Sequence, residues 1–389
     1  TGGGTIYSEA TRELDDFASR FGIPVAETQA GKGALAWNHP MTVGPIGANG
    51  GLAANRLARE ADLVLCVGTR MGDFVTSSRT TFQNADVTFV GVNVAPMDAH
   101  KLRAVPLVAD AREALDALSA ALESAGYQGT AAAYRDRIGQ LKTEWDGIVT
   151  TLRTSDAEAG DLGQAEVIGM VNDALGGKAT VICAAGSLPG DLLKLWRAED
   201  PKAYHVEYGY SCMGYEVAAG LGVALAEPGR RVAVIVGDGS YLMMNSEIVT
   251  AVAEGLKFTI VLLDNHGFGC ITGLARSVGV PDFGNDLRFR DKDRNRLTGP
   301  YVPVDYRQHA EAMGALAIFA RTAVELKAAL AEADRADRVT VIVVPVDPEK
   351  RVPGFEGWWD VPSAEVSGQA GVRAARHGYD QARTLQRLG

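Results

Sequence analysis

The sequence predicts an α/β fold of two three-layer α/β domains with mainly parallel sheets. Three observations predict it. Short apolar runs of strand length alternate with stretches of helical spacing along both halves of the chain. Glycine-rich turns lead from a strand into a helix at GDGS (Gly237–Ser240) and into a helix at GPIGANGG (Gly44–Gly51). Hydrophobic residues make up 47% of the 389 positions and charged residues 22%, enough for each domain to bury a core.

Residues 1–130 read as the first domain. A helix is predicted from about Tyr7 to Arg20, then a short strand from Ile23 to Ala26. The loop Gly44–Gly51 leads into a helix ending near Glu60. The strands Ala61–Gly68, Thr88–Val94 and Pro106–Asp110 follow, and the last opens the helix AREALDALSAALESA. Residues 131–164 have helical spacing but no following strand, and read as a polar connector ending in the soft stretch RTSDAEAGDLG. Residues 165–350 read as the second domain, with strands Thr180–Ala185, Ala203–Glu207, Arg231–Gly237, Lys257–Asp264, Leu316–Ala320 and Arg338–Val346. Val278–Pro303 mixes Gly, Pro, Asp, Asn and Arg with little periodicity and reads as a long active-site loop. Residues 351–389 form a tail, GFEGWWDVP and then a polar helix.

Composition excludes several function classes. The net charge is −10 and the pI about 5.2, and the Arg-rich stretch Arg288–Arg296 is interleaved with Asp286, Asp291 and Asp293. No basic stripe results, so no nucleic-acid partner is expected. There is no signal peptide and no apolar run of about 20 residues, so no membrane partner is expected and the protein reads as cytoplasmic. Cys66, Cys183, Cys212 and Cys270 form no CxxC pair and have no His at zinc-ligand spacing; they read as reduced, buried thiols. The chain opens on TGGGTIYSEA without Met, which reads as a cut between domains.

The chemistry is concentrated between Gly237 and Gly269. The strand RVAVIVG ends at Gly237-Asp238-Gly239, a helix follows, and a second strand ends at Asp264-Asn265. Asp238 and Asn265 are 27 positions apart (265 − 238), the length of one helix, one strand and their turns. The spacing predicts that they sit at the carboxyl ends of neighbouring parallel strands, where open α/β sheets bind ligands. Each offers an oxygen, which hard Mg²⁺ prefers. The glycines let backbone amides approach a phosphate, and the following helix turns its N-terminus toward it. GDG alone is as readily a tight turn; with Asn265 at this spacing and strands on both sides, a metal-bridged diphosphate site is the better reading.

GDG, a spacer and an Asn-bearing strand end resemble the signature of thiamine-diphosphate enzymes of the acetolactate-synthase type. The resemblance implies thiamine diphosphate and Mg²⁺ as cofactors, with Asp238, Asn265 and the backbone carbonyl of Gly267 as metal ligands. It places Gly237, Gly239 and Ser240 beside the diphosphate. The segment EYGYSCMGYEVAAGLGVALA (Glu207–Ala226) resembles the family's aminopyrimidine-holding turn. Met213 would be the wedge that bends the cofactor into a V, and the backbone of Ser211 and Met213 would bond the pyrimidine. CAAGSLPGDLL (Cys183–Leu193) would bring Gly186 and Ser187 to the diphosphate. The family often has Asn-Asn where this chain has Asp264-Asn265; the ligand is the second residue, which is unchanged. In the family a Glu on a separate pyrimidine-binding domain activates the cofactor. No residue here matches it, since Glu207, Glu216 and Glu247 belong to the diphosphate-binding segments, so that domain is expected to precede this chain. The resemblance also implies sites between chains, hence a homodimer or homotetramer.

Longer phrases narrow the branch. EYGYSCMGYE, GDGSYLMMNSE, VLLDNHGFGCI, AAGSLPGDLL, ETQAGKGALAWNHP and GFEGWWDVP resemble the members that hydrolyse a C–C bond in a small-molecule cyclic diketone. His266, next to Asn265, then either donates a proton at the reacting centre or plays a structural part. His205, Cys212 and Cys270 read as packing residues. Two other thiamine-based readings stand beside this one: a carboligase or decarboxylase with the same cofactor, and a non-catalytic cofactor-binding fragment. A nicotinamide-dependent oxidoreductase would rest on GPIGANGG alone, which lacks a well-placed acidic residue for a ribose and reads better as structural.

Overall fold

The apolar runs form strands and the periodic stretches form helices. The computed structural model describes residues 1–155, 161–207 and 209–387. The centre of the soft stretch, 156–160, and residue 208 of the pyrimidine-turn phrase lie outside the described residues. The strands are β1 Val25–Glu27, β2 Thr42–Pro45, β3 Leu63–Val67, β4 Thr88–Asn93, β5 Val105–Val108, β6 Thr180–Cys183, β7 Tyr204–Val206, β8 Val232–Gly237, β9 Thr259–Asp264, β10 Leu316–Phe319 and β11 Thr340–Pro345. The first helices are α1 Gly3–Tyr7, α2 Thr11–Phe21, α3 Leu52–Glu60, α4 Pro96–Ala99, α5 Ala111–Ser124, α6 Ala132–Arg153, α7 Gln164–Leu175 and α8 Leu188–Leu195. They are followed by α9 Tyr215–Ala226, α10 Asp238–Met243, α11 Glu247–Ala253, α12 Gly269–Ser277, α13 Tyr306–Ala312, α14 Ala323–Arg335 and α15 Ala370–Arg383.

All the ladders are parallel. The large sheet has the order β10-β11-β9-β8-β6-β7, and two smaller sheets are β1-β2 and β3-β4-β5. In the large sheet alternate residues serve opposite faces. Val181, Ala233, Ile235, Val261 and Leu263 pack into the core that α7, α8 and α14 cover. Ile182, Val234, Val236, Ile260 and Leu262 pack into the core of the other face, under α9, α11 and α13. Both faces are buried, which is why these strands read as unbroken apolar runs.

Three expectations need correction. The helix expected from about Tyr7 to Arg20 starts later, as α2 at Thr11, and a short helix α1 at Gly3–Tyr7 precedes it, the two separated where Glu9 takes a left-handed φ of 54°. β2 escaped notice because TVGP is short and runs into a glycine loop. All four of its residues are buried beside β1. α6 is helical as expected but is no polar connector. Ile138, Leu141, Trp145 and Val149 form a buried stripe at helical spacing, against α3, β2, α7 and α8. Its exposed face is polar enough to dilute that stripe in the sequence.

Trp145 also explains the glycine-rich loop. A Cβ on Gly44 would lie 2.6 Å from the indole nitrogen, and one on Gly51 2.6 Å from the ring carbons. These glycines admit a tryptophan. The tail is likewise tied down. Phe355 sits edge-on to Trp145 at 4.9 Å, and Trp359 stacks on Phe74 at 4.9 Å while its Nε1 donates to Asp73 at 2.8 Å. Among the described residues no helix is long and apolar enough to cross a membrane.

Candidate functional site

The large sheet reverses its winding at β6 and β8. β6 leads outward to β7, whereas β8 leads the other way to β9, so the loops after β6 and β8 diverge over a crevice. Gly237 pairs with Leu263 across β8 and β9, which sets the next residues, Asp238 and Asp264, side by side at the strand ends. Asn265 follows directly.

Asp238 is fully buried. Its Oδ1 accepts from the Gly239 amide at 2.8 Å, but Oδ2 is buried without a partner, and so is Asn265 Oδ1. Each orphaned acceptor costs about 1–3 kcal/mol. Burial, and then the charge of Asp264, push the Asp238 carboxyl upward. Two unsatisfied oxygens on adjacent strand ends, with a second carboxylate beside them, are what a hard divalent cation would satisfy. The residues present therefore fit such a group.

The turn after Asn265 is strained. His266 has φ 64° and Gly267 φ 145°, and a Cβ on Gly267 would meet Asn285 O at 2.5 Å. A non-glycine residue in the left-handed region costs about 1–3 kcal/mol and persists where its surroundings over-determine it. Here the 278–303 segment does so: Leu287 N donates to His266 O at 2.8 Å and Phe268 N to Asn285 O at 2.9 Å. The His266 ring stacks on Tyr301 at 4.2 Å, and the Arg288 guanidinium lies 3.7 Å from the Tyr301 centroid. His266 Nδ1 is 3.2 Å from Asp264 Oδ1, and with Tyr301, Val304 and Tyr306 the two line a pocket. The imidazole is thus a fixed wall of this pocket.

Across the crevice lies the turn before α9. Ser211 has a left-handed φ of 51°, and Met213 is 37% exposed, which is not the setting of a core methionine. Two carboxylates that motif reading had set aside brace this turn. Glu207 accepts from the Cys212 amide at 2.6 Å and from the Tyr210 and Gly209 amides at 3.3 Å, and these bonds, the Cys212 one foremost, hold its carboxyl below the usual range. Glu216, on the far side, receives the Ser240 hydroxyl at 2.8 and 2.9 Å and the Gly214 amide at 3.1 Å. Their signal in the sequence was a pair of acids bracketing a glycine-containing turn. Cys212 in the same turn is exposed and Cys270 half-buried, so only Cys66 and Cys183 are the buried thiols expected; burial pushes Cys66 up to about 12. His205 Nε2 lies 2.7 Å from the Tyr215 hydroxyl.

Gly186 and Ser187 lie exposed after β6. Gln164 Nε2 donates to Ser187 Oγ at 3.2 Å and to Asp191 Oδ2 at 2.5 Å. Burial pushes the Asp191 carboxyl up to about 6 against the opposing pull of Lys194, Gln164 and Arg351. Its ordinary value is 3.8, so the protonated form favours the fold. That stability is fully present below the unfolded value and is lost as pH rises through about 6. The loss is roughly 2–3 kcal/mol. Asp191→Asn should remove this slope and be more stable than the parent at pH 8. Urea midpoints between pH 4 and 8 that run parallel for the two chains would contradict it.

Two family models match the chain. The "Thiamine pyrophosphate enzyme, central domain" covers residues 1–118, and the "Thiamine pyrophosphate enzyme, C-terminal TPP binding domain" covers residues 184–344. Among similar curated proteins, those of Bacillus cereus (strain AH820) and Bacillus anthracis (strain CDC 684 / NRRL 3495) are each 41% identical over 96% of this chain. One from Bacillus thuringiensis (strain Al Hakam) is 40% identical over the same share. All three are named 3D-(3,5/4)-trihydroxycyclohexane-1,2-dione hydrolase, and the chain spans 61% of the length of each. The crevice and its two flanking turns lie within the second matched region. On these matches the chain belongs to the thiamine pyrophosphate enzyme family, of which it carries the central and the cofactor-binding domains.

Proposed function

We propose that this chain holds thiamine diphosphate through Mg²⁺ bound by Asp238, Asn265 and the Gly267 carbonyl. We propose further that the enzyme it serves hydrolyses trihydroxycyclohexane-1,2-dione to 5-deoxy-D-glucuronate, a step of inositol breakdown. The observation that carries the cofactor reading is the pair of orphaned oxygens, Asp238 Oδ2 and Asn265 Oδ1, at adjacent strand ends. The substrate reading is supported by the names of relatives at 41% identity.

Bound here, thiamine diphosphate supplies a carbon nucleophile and an acceptor for the electron pair released when the bond between two adjacent carbonyls breaks. The chain's own residues orient and protonate. Gly237, Gly239, Ser240, Gly186 and Ser187 would hold the diphosphate half. Met213, on the exposed turn, would support the cofactor between its two halves, and the Ser211 and Met213 backbone would bond the pyrimidine. His266, stacked on Tyr301 and next to Asp264, donates a proton at the reacting centre. Leu242, Met243 and Met244 are 41%, 56% and 48% exposed on and just after α10. A second copy of the chain would cover them, as a homodimer or homotetramer requires. A cytoplasmic setting accords with four free cysteines.

The test is product analysis with the cyclic diketone and with pyruvate, each with and without Mg²⁺. An open-chain aldehyde acid from the diketone, formed only with Mg²⁺, is expected. Acetolactate or acetaldehyde from pyruvate would favour the carboligase or decarboxylase reading. Cofactor binding with turnover of neither substrate would favour a cofactor-binding fragment.

A further inference from the structure

Glu216 is 1% exposed, yet its carboxylate joins the turn before α9 to the start of α10. The Ser240 hydroxyl donates to its two oxygens at 2.9 and 2.8 Å. The Gly214 amide donates to Oε2 at 3.1 Å and also to Ser240 Oγ at 2.8 Å. Ser240 lies in the first turn of α10, and Gly214 ends the Ser211–Met213 turn. Gly214 is the N-cap of α9, so its bond to the acid serves the acid's own helix N-terminus. The bonds from Ser240 cross to α10, and the two segments so joined are those that face the two ends of the cofactor.

We propose that Glu216 is a positioning residue that sets the separation between the pyrimidine-facing turn and the diphosphate-facing segment, and thereby fixes the bent conformation of bound thiamine diphosphate. The inference rests on the cofactor reading above. A ligand held at both ends needs the two half-sites at the right separation, whereas a ligand that fills one half-site does not. Glu216 touches neither the diphosphate nor the pyrimidine in this scheme; it acts through Gly214 and Ser240.

The experiment is calorimetric titration of this chain, in Mg²⁺, with thiamine diphosphate and separately with inorganic diphosphate. Glu216→Ala should weaken thiamine diphosphate by roughly 10- to 100-fold and inorganic diphosphate by less than about 2-fold. Glu216→Gln, which keeps an acceptor oxygen, should recover most of the loss. Near-ultraviolet circular dichroism of the bound pyrimidine should change in the alanine variant and return in the glutamine one. If Glu216→Ala does not fold, Glu216→Asp, which keeps the charge but shortens the reach to Ser240 and Gly214, should show the same selectivity to a smaller extent. Equal weakening of both ligands, or of neither, overturns the positioning role and leaves the cofactor reading standing. A parent chain that fails to bind thiamine diphosphate overturns the cofactor reading and this inference with it.

Discussion

Asp238→Ala should abolish Mg²⁺-dependent thiamine diphosphate binding, a loss of roughly 100-fold or more. Asp238 is the only carboxylate in the proposed ligand set, so its removal leaves a divalent cation with an amide and a carbonyl, neither charged. Attraction between the cation and the buried anion is lost where little water can screen it. The residual contacts to the diphosphate come from neutral backbone and hydroxyl groups. Asp238→Asn keeps the shape and removes the charge, so it should lose nearly as much while folding like the parent. Calorimetry with and without Mg²⁺ decides this. Alanine and asparagine variants that bind as tightly as the parent would remove the cation site. A loss that is the same with and without Mg²⁺ would assign Asp238 to shaping the loop.

How much of this was legible in the sequence depends on how local the cause was. The strands of the large sheet were readable because burial on both faces makes each an unbroken apolar run, as in Val232–Val236 and Thr259–Leu263. The adjacency of Asp238 and Asn265 was readable because one helix and one strand separate parallel neighbours, and the register follows. β2 and the buried stripe of α6 were not readable. The signal for the first is four residues long, and the second is a stripe diluted by a polar face. The part of Gly44 and Gly51 was hidden because the indole that needs them lies about a hundred positions downstream, at Trp145. Glu207 and Glu216 were legible as acids near a turn, but which amides they receive depends on how three segments converge. No spacing along one segment encodes that.

The second large effect concerns the seam behind Ser187. Glu27 Oε1 lies 2.6 Å from Lys32 Nζ, with the side chains 8% and 4% exposed, and Glu27 Oε2 accepts from the Gly33 amide at 3.4 Å. The segment between them reaches the large sheet. Gln29 Nε2 donates to Pro189 O at 2.8 Å, and the Tyr204 hydroxyl donates to Gln29 Oε1 at 2.7 Å. Glu27→Ala strands a buried ammonium and should cost about 3–5 kcal/mol in urea unfolding. Replacing both members, as Glu27→Met with Lys32→Met, removes the charge to be desolvated along with its partner. That double variant should be near neutral or more stable. A single variant costing under about 1 kcal/mol, or a double costing as much as the single, would mean that the pair is solvated despite its burial. The distinction bears on function because the Gln29–Pro189 bond ends two residues after Ser187. Displacing the segment in Glu27→Ala should therefore also weaken thiamine diphosphate binding, while the double variant, which leaves the segment seated, should not.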